Sequence, residues 1–296
     1  MNKLLLVDGS ALLHRAYHAY PPLTSKTGEV VGAVYGVASI LISALEQEKP
    51  SHVMVAWDLP QPTFRHVKYV GYKAQRPKAD SEMILQIPLV KEVIRCMGIV
   101  QVEKEGFEAD DIIGTLSKNQ DGEVVILTGD QDTMQLVNEY VRVLTPAKGA
   151  NPPVLYGPDE VFNKYGVHPE QIVDYKALIG DSSDNIPGVA GIGPKGAANL
   201  IKMFGSLERI YREIKEVQGH FGELMAKKLT DGKDSAFLSQ DLSRIVTDMT
   251  IDVTLEQMEY RGLQGQALQA KFEELGFKSL VKKFFPEKLS NQIGLF

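Results

Sequence analysis

The sequence predicts an α/β fold, a mainly parallel sheet flanked by helices, followed by a helical region. Three observations predict it. Short apolar, strand-like runs alternate with helical patterns through the first half. Several of those runs end in aspartate. Strand signal then fades after the Pro/Gly-rich stretch Thr145–Pro158. Alternation of this kind gives parallel strands with helices on both faces.

In chain order, Leu4–Val7 reads as a strand, residues from about 32 to 46 as a buried helix, and His52–Trp57 as a second strand. Glu82–Cys96 is an amphipathic helix, Ile99–Val102 a short strand and Ala109–Ser117 a helix. Glu123–Leu127 and Val141–Leu144 are strands, whereas Gln171–Ile179 and Ala197–Phe204 look helical. The predicted organisation is an α/β domain over 1–165, a helical region over 166–286 and a tail over 287–296. Residues 60–83 carry Pro60, Pro62, Pro77 and many charges, too long for an ordinary connection, and read as a functional element.

Composition excludes several classes. The chain has 296 residues, 44% apolar and 24% charged, which suits a folded core and neither disorder nor a collagen-like repeat. Only four apolar residues precede Asp8 at the N-terminus, too few for a signal peptide. The uncharged stretch Val30–Leu45 is 16 residues long, short for a membrane span, so no membrane role is expected. The single cysteine, Cys96, rules out an internal disulfide and a cysteine-based zinc site. The expected location is the cytoplasm. Net charge is −6, which by itself argues against a nucleic-acid partner; the placement of the charges argues the other way.

Three predicted strands run into carboxylates: Asp8, Asp58, and Asp130 with Asp132. Ligands of parallel α/β sheets bind outside the carboxyl ends of strands. Glu108, Asp110 and Asp111 open a helix, and Asp181 and Asp184 lie between two helices. One such aspartate is ordinarily a helix cap or a turn residue. Nine together are different, because like charges about 4 Å apart repel by roughly 4 kcal/mol at an effective dielectric of about 20. A converging set needs bound cations or raised pKa values. The donors are all oxygen, which favours two Mg²⁺ ions, with Mn²⁺ able to substitute, and in-line phosphoryl displacement. His14 and His18 have zinc-helix spacing, but Arg15 stands where a metalloprotease has Glu. Ser10, two residues after Asp8, disfavours a haloacid-type phosphatase.

Residues 64–78 hold five Lys/Arg, three aromatics and no acid. That interleaving suits phosphate neutralisation and base stacking. If Tyr72–Arg76 is helical, Lys73 and Arg76 share a face and can clamp a phosphate. The stretch Asn185–Ala198 contains Gly188, Gly191, Gly193, Pro194, Lys195 and Gly196. Loop amides ahead of a helix grip phosphate without reading bases, the behaviour of a helix–hairpin–helix element. Setting the nine carboxylates aside turns the net charge of −6 into +3.

Val7-Asp8-Gly9, Arg15–His18, Phe64-Arg65, Tyr72–Arg76, Glu108–Asp111, Gly129–Asp132 and Gly180–Gly188 together resemble the bacterial 5′→3′ exonuclease and flap endonuclease family, of PIN-like fold. The resemblance covers nearly the whole chain, in the form of a stand-alone relative of the nuclease domain of bacterial DNA polymerase I. It implies a structure-specific 5′ nuclease of replication and repair, acting on flaps, nicked or gapped duplexes and RNA-primed DNA. It implies one metal on Asp8, Asp58, Glu108 and Asp110, and a second on Asp110, Asp130, Asp132 and Asp184, with Asp111 and Asp181 nearby or acting through water. Lys73 and Arg76 would lie in a helical gateway, Tyr72 would stack on a base, and Arg15 would contact phosphate. Gly188, Gly191, Gly193, Lys195 and Gly196 would bind duplex DNA, with K⁺ at that loop through carbonyls and a hydroxyl. Gly196 stands where the family usually has Thr, which removes one hydroxyl. Gln292, Leu295 and Phe296 resemble the peptide by which bacterial proteins dock on the sliding clamp. The chain is expected to be a monomer, nucleoid-associated when on DNA. A non-catalytic flap binder and a PIN-type ribonuclease are the rivals; Mg²⁺-dependent cleavage and a comparison of RNA with flap DNA separate them.

Overall fold

Leu4, Leu5, Leu6 and Val7 are all buried, so β1 (Lys3–Asp8) is covered on both faces, as a parallel strand must be. The structure is a computed structural model and describes residues 2–118, 122–147, 149, 151–263 and 265–286. In it β1 pairs in parallel with β2 (His52–Trp57). The sheet continues through β3 (Val100–Glu103) beyond β2, and through β4 (Glu123–Leu127) and β5 (Val141–Thr145) on the other side of β1. A short β6 (Val154–Tyr156) closes one edge antiparallel to β5, giving six strands in the order β3-β2-β1-β4-β5-β6. β6 falls in the stretch that reads from sequence as a connection; three residues are too few to show a period. The order reverses direction between β1 and β4, a switch point where α/β sheets open a binding crevice.

Successive residues of the strands feed two cores. Leu5, Val7, Val55 and Trp57 face α1 (Gly9–Ala19) and α2 (Gly32–Glu48). After α3 (Phe64–Lys68), a single short turn, α4 (Ser81–Cys96) joins that same layer. Gly9 lets α1 start hard against β2, because a Cβ there would come within 2.8 Å of Val55 and Trp57. Leu4, Leu6, Met54 and Ala56 face the other way, onto Ala109, Ile112, Ile113 and Leu116 of α5 (Ala109–Lys118).

The second core extends into the helices that follow α6 (Pro158–Tyr165): α7 (Ile172–Ile179), α8 (Pro194–Phe204), α9 (Leu207–Arg212), α10 (Ile214–Phe221), α11 (Glu223–Asp231) and α12 (Lys233–Ser243). The last two helices do not stay with them. α13 (Gln266–Glu274) and α14 (Lys278–Phe284) bury Leu268, Phe272, Leu275, Phe277 and Leu280 in the first core, beside α2 and α4. The helical region expected over 166–286 therefore divides. An apolar stripe shows that a helix must be covered, not which layer covers it. Among the described residues no helix is long and apolar enough to cross a membrane.

Phe272 is fully buried in the first core although it lies far along the chain. Phe272→Ala is expected to lower stability by about 3–5 kcal/mol, read as a lower midpoint in urea unfolding of the whole chain.

Candidate active site

The carboxylates assemble from the carboxyl edge of the sheet outward. Asp8 ends β1 and is buried; its side chain accepts from the Ala11 amide at 2.9 Å and from the Thr128 hydroxyl at 2.9 Å. Asp58 follows β2, and its Oδ1 accepts from the amide of Ala109, the first residue of α5, at 2.8 Å. Beyond β4, the Thr128 hydroxyl accepts from the Asp130 amide at 3.0 Å, and Asp130 accepts from the Asp132 amide at 2.9 Å. That loop is thus tied by its own side chains and by Asp8.

At the head of α5 the three acids divide their roles. Asp111 is fully buried and forms a forked pair with Arg65, whose two terminal nitrogens each donate at 2.8 Å. It also accepts from the amides of Glu108 at 3.1 Å and Val246 at 2.8 Å. Asp111 is therefore held as a structural anchor. Arg65, 1% exposed, donates further to Glu108 at 3.0 Å and to the carbonyls of Leu242 and Arg244, each at 2.9 Å. Asp110 Oδ1 is buried with no hydrogen-bond partner.

The gateway is not the helix expected over Tyr72–Arg76. After α3 it runs as successive turns, with Lys73 at φ +53°, a left-handed conformation that breaks a helix. Two contacts hold it: the Lys73 amide donates to the Asp184 carbonyl at 2.9 Å, and the Asn185 side chain donates to the Gly71 carbonyl at 2.7 Å. Lys73 and Arg76 nonetheless converge on one cluster. Lys73 Nζ donates to Glu108 at 2.6 Å and lies 3.9 Å from Asp184, while Arg76 pairs with Asp184. Tyr72 faces inward. It is 4% exposed, packs on Ile186 and Leu242, and donates its hydroxyl to Glu108 at 2.9 Å. Its ring is not presented for the stacking expected of it. Arg15 donates to the Pro146 carbonyl at 2.8 Å and to that of Ala147, so it braces the loop after β5 beside Gly129.

Lys176 on α7 pairs with Asp132 and donates to Asp181 at 2.7 Å, joining the β4 loop to the helical region. Asp181 also accepts from the Ser183 amide and hydroxyl at 2.8 and 2.5 Å. Gly180 and Gly188 lie back to back, with a Cβ on Gly188 reaching 2.3 Å from the Gly180 nitrogen. That close approach sets the glycine loop directly after Asp184. Gln292, Leu295 and Phe296 lie outside the described residues.

The sequence gives no site role to Arg65, Lys176 or Thr128, although Phe64-Arg65 is one of the resembling motifs. Arg65 stands in the basic run 64–78, which reads as a phosphate-neutralising segment and gives no sign of a buried partner for Asp111. Lys176 carried a signal, because it precedes Asp181 by five residues at a helix end facing the acids. Thr128 ends a strand and looks like a cap.

Electrostatics follow from burial and repulsion. Burial, then Asp58, pushes Asp8 from the ordinary 3.8 up to about 7. Asp110 is raised well above its usual value by burial and by Asp111. Asp132 rises to about 6, because burial and the nearby Asp130 and Asp181 outweigh Lys176. Asp181, less buried and paired with Lys176, falls to about 2 although burial opposes the shift. Among the described residues no three acidic, histidine or cysteine side chains form a ready metal cage; Lys73, Arg76, Lys176 and Arg65 stand between them as counter-ions. The donor set still fits a hard divalent cation. It is all oxygen, it includes an orphaned buried carboxylate oxygen on Asp110, and burial together with the neighbouring Asp58 raises Asp8 to about 7.

Oxygen-only acids of this density, dressed with lysine and arginine at the switch point of a parallel sheet, define a nuclease of the divalent-cation class. Residues 3–166 match the model of the 5′-3′ exonuclease N-terminal resolvase-like domain, and residues 167–266 that of the 5′-3′ exonuclease C-terminal SAM fold. The chain belongs to the 5′-3′ exonuclease family. It is 37% identical to the 5′-3′ exonuclease of Aquifex aeolicus over 96% of this chain and 95% of that protein. It is 43% identical to DNA polymerase I of Bacillus subtilis over 95% of this chain, but spans only 32% of that polymerase. In fold it is similar to the T5 D15 protein co-crystallised with metal ions, with a TM-score of 0.68, 21% identity and 83% and 90% of the two chains covered. It is also similar to the catalytic core of Rad2 in complex with DNA substrate, with a TM-score of 0.62, 18% identity and 93% and 88% covered.

Two predictions follow from this site. Arg65→Met leaves a buried carboxylate unpaired and is expected to cost about 3–5 kcal/mol in urea unfolding, with the Arg65→Met/Asp111→Leu pair costing less than the two single changes summed. Asp8 binds its proton more tightly folded than unfolded, so its contribution to stability is full below about 4 and is lost as pH rises through about 7. In EDTA the melting temperature is therefore expected to be lower at pH 8 than at pH 5.5, and Asp8→Asn to shrink the difference.

Proposed function

We propose that this chain is a structure-specific 5′ nuclease that hydrolyses DNA phosphodiesters at flaps, nicks and 5′ ends, including RNA-primed ends, during replication and repair. The observation that carries the reading is that carboxylates from five chain segments gather at one edge of the sheet, where Glu108 and Asp184 pair with Lys73 and Arg76 of the gateway just ahead of the glycine loop. Asp8, Asp58, Glu108 and Asp110 would hold one Mg²⁺ or Mn²⁺, and Asp110, Asp130, Asp132 and Asp184 a second, with Asp181 beside them. Bound there, the two ions supply Lewis acidity toward water and the scissile phosphate.

The chain's own residues do the rest. Thr128 and the Ala11 amide fix the orientation of Asp8. Arg65 fixes Glu108, and Lys176 sets the separation of Asp132 from Asp181. Lys73 and Arg76 offer their cationic heads at the mouth of the cluster, where a phosphate competes with Glu108 and Asp184 for them. Lys195 and the loop amides without an internal acceptor hold the duplex backbone without reading sequence; the Gly188 amide expected among them is spent on the Ser239 hydroxyl at 2.9 Å. Beside the gateway, a cavity of about 250 Å³ lined by Asp58, Pro60, His66, Lys73, Arg76 and Glu108 gives the strand a path to the cluster.

Cleavage of a 5′-labelled flap with Mg²⁺ and with EDTA, beside binding in Ca²⁺, tests the reading. Cutting near the junction that needs the metal supports it; tight binding without cutting in Mg²⁺ or Mn²⁺ transfers the protein to the non-catalytic binders. Asp130→Asn and Asp132→Asn are each expected to slow cleavage by at least about a hundredfold while flap affinity in Ca²⁺ holds. We infer further that the protein works as a cytoplasmic monomer, and that the tail docks on a sliding clamp through Gln292, Leu295 and Phe296. Deleting residues 292–296 is expected to abolish clamp binding and to leave intrinsic cleavage unchanged, both measured on one preparation.

A further inference from the structure

Between Tyr69 and Asp80 the gateway has no helix or strand, so contacts from outside must hold it. They come from a hairpin at residues 181–186. Asp181 and Ile186 exchange both backbone hydrogen bonds there, at 2.9 and 2.8 Å. Asn185 turns the hairpin at φ +56°, a left-handed conformation that asparagine adopts more readily than most residues. Its side chain donates to the Gly71 carbonyl of the gateway at 2.7 Å. Beside it the Asp184 carbonyl accepts from the Lys73 amide at 2.9 Å, Tyr72 packs on Ile186, and Arg76 Nε donates to the Ser183 carbonyl at 3.4 Å. Of these four contacts, only the first is a hydrogen bond from a side chain of the hairpin.

We propose that Asn185 is a positioning residue of the nuclease: through Gly71 it keeps Lys73 and Arg76 over the acid cluster once a phosphate has drawn them off Glu108 and Asp184. The ion pairs of Lys73 and Arg76 are the tethers that a phosphate displaces. The bond from Asn185 to Gly71 joins uncharged groups, so neither phosphate nor salt competes for it in that way. It therefore persists at the moment when the charged tethers are exchanged. The same hairpin leads into the glycine loop, where a Cβ on Gly188 would reach 2.3 Å from the Gly180 nitrogen and the Gly188 amide is fixed by Ser239. Asn185 thus also sets the gateway in fixed register to that loop. The inference rests on the reading of Lys73 and Arg76 as a phosphate clamp.

Three measurements on the whole protein test it. Limited trypsin digestion of the folded protein, cutting after Lys73, reads release of the gateway. Single-turnover flap cleavage in Mg²⁺ reads its use, and flap affinity in Ca²⁺ reads binding alone. Asn185→Gly and Asn185→Ala both delete the amide, but only glycine takes φ +56° freely. Both variants are expected to be cut after Lys73 about three- to tenfold faster than the wild type, as for one lost neutral hydrogen bond, and to cleave the flap more slowly by a similar factor. Flap affinity is expected to hold. Asn185→Ala is expected to melt below Asn185→Gly, so a merely structural role would make cleavage follow melting temperature, whereas a positioning role makes the two variants alike. Wild-type rates of either trypsin cutting or flap cleavage in Asn185→Gly, or a cleavage loss in Asn185→Ala that Asn185→Gly does not share, overturn the inference and leave the proposed function standing. A wild type that binds the flap without cutting it in Mg²⁺ overturns the proposed function, and the trypsin comparison then decides whether Asn185 holds the gateway.

Discussion

The buried guanidinium of Arg65 holds three parts of the molecule in register. Its fork clasps Asp111 at the head of α5, one arm also reaches Glu108, and its other donors go to the carbonyls of Leu242 and Arg244 at the end of the helical region. Arginine is suited to this position because its planar fork matches a carboxylate and still has donors to spare. A buried charge of this kind is tolerable only when every donor is met. The root of the gateway, the first acid of α5 and the segment after α12 therefore cannot move independently without breaking the same set of bonds. Site and domain arrangement are one problem here, solved by one side chain.

The second constraint is crowding of like charge. Nine acids gather where a parallel sheet ends, and the protein separates them with cations drawn from distant parts of the chain. Lys73 and Arg76 come from the gateway, Lys176 from α7 and Arg65 from α3. This explains how a chain of net charge −6 sets lysines and arginines around its clustered acids. The acids are turned inward and partly neutralised, while lysines and arginines stand at their rim. The same arrangement makes the gateway responsive: whatever competes for Glu108 and Asp184 also competes with its tethers.

What the sequence made legible is what depends on spacing. Strands β1, β2 and β4 appear as nearly continuous apolar runs because both faces of the sheet are covered there, and the aspartates at or just beyond their ends mark the crevice; β3 and β5 show only a shorter alternation. The glycine loop announces itself by composition. β6 left no trace because three residues at an edge show no period. The helix supposed over Tyr72–Arg76 and implied by the resemblance does not form, because the Asp184 carbonyl holds the Lys73 amide in a left-handed turn that nothing local in the sequence reveals. Asp111 and Asp110 are adjacent and chemically identical, yet only the fold turns one onto Arg65 and leaves the other with a free oxygen. Long-range pairs such as Lys176 with Asp132 are likewise invisible until helix and sheet are packed together.

The return of α13 and α14 to the first core bears on how the chain is made. When the last strand of the sheet has left the ribosome, the layer formed by α2 and α4 still lacks Leu268, Phe272, Leu275 and Phe277. The amino-terminal half must wait, with apolar surface uncovered, while more than a hundred further residues are synthesised. Such a nascent chain is exposed to aggregation during that interval and calls for shielding by chaperones. The sheet and its first helical layer therefore become stable only once α13 and α14 have been made.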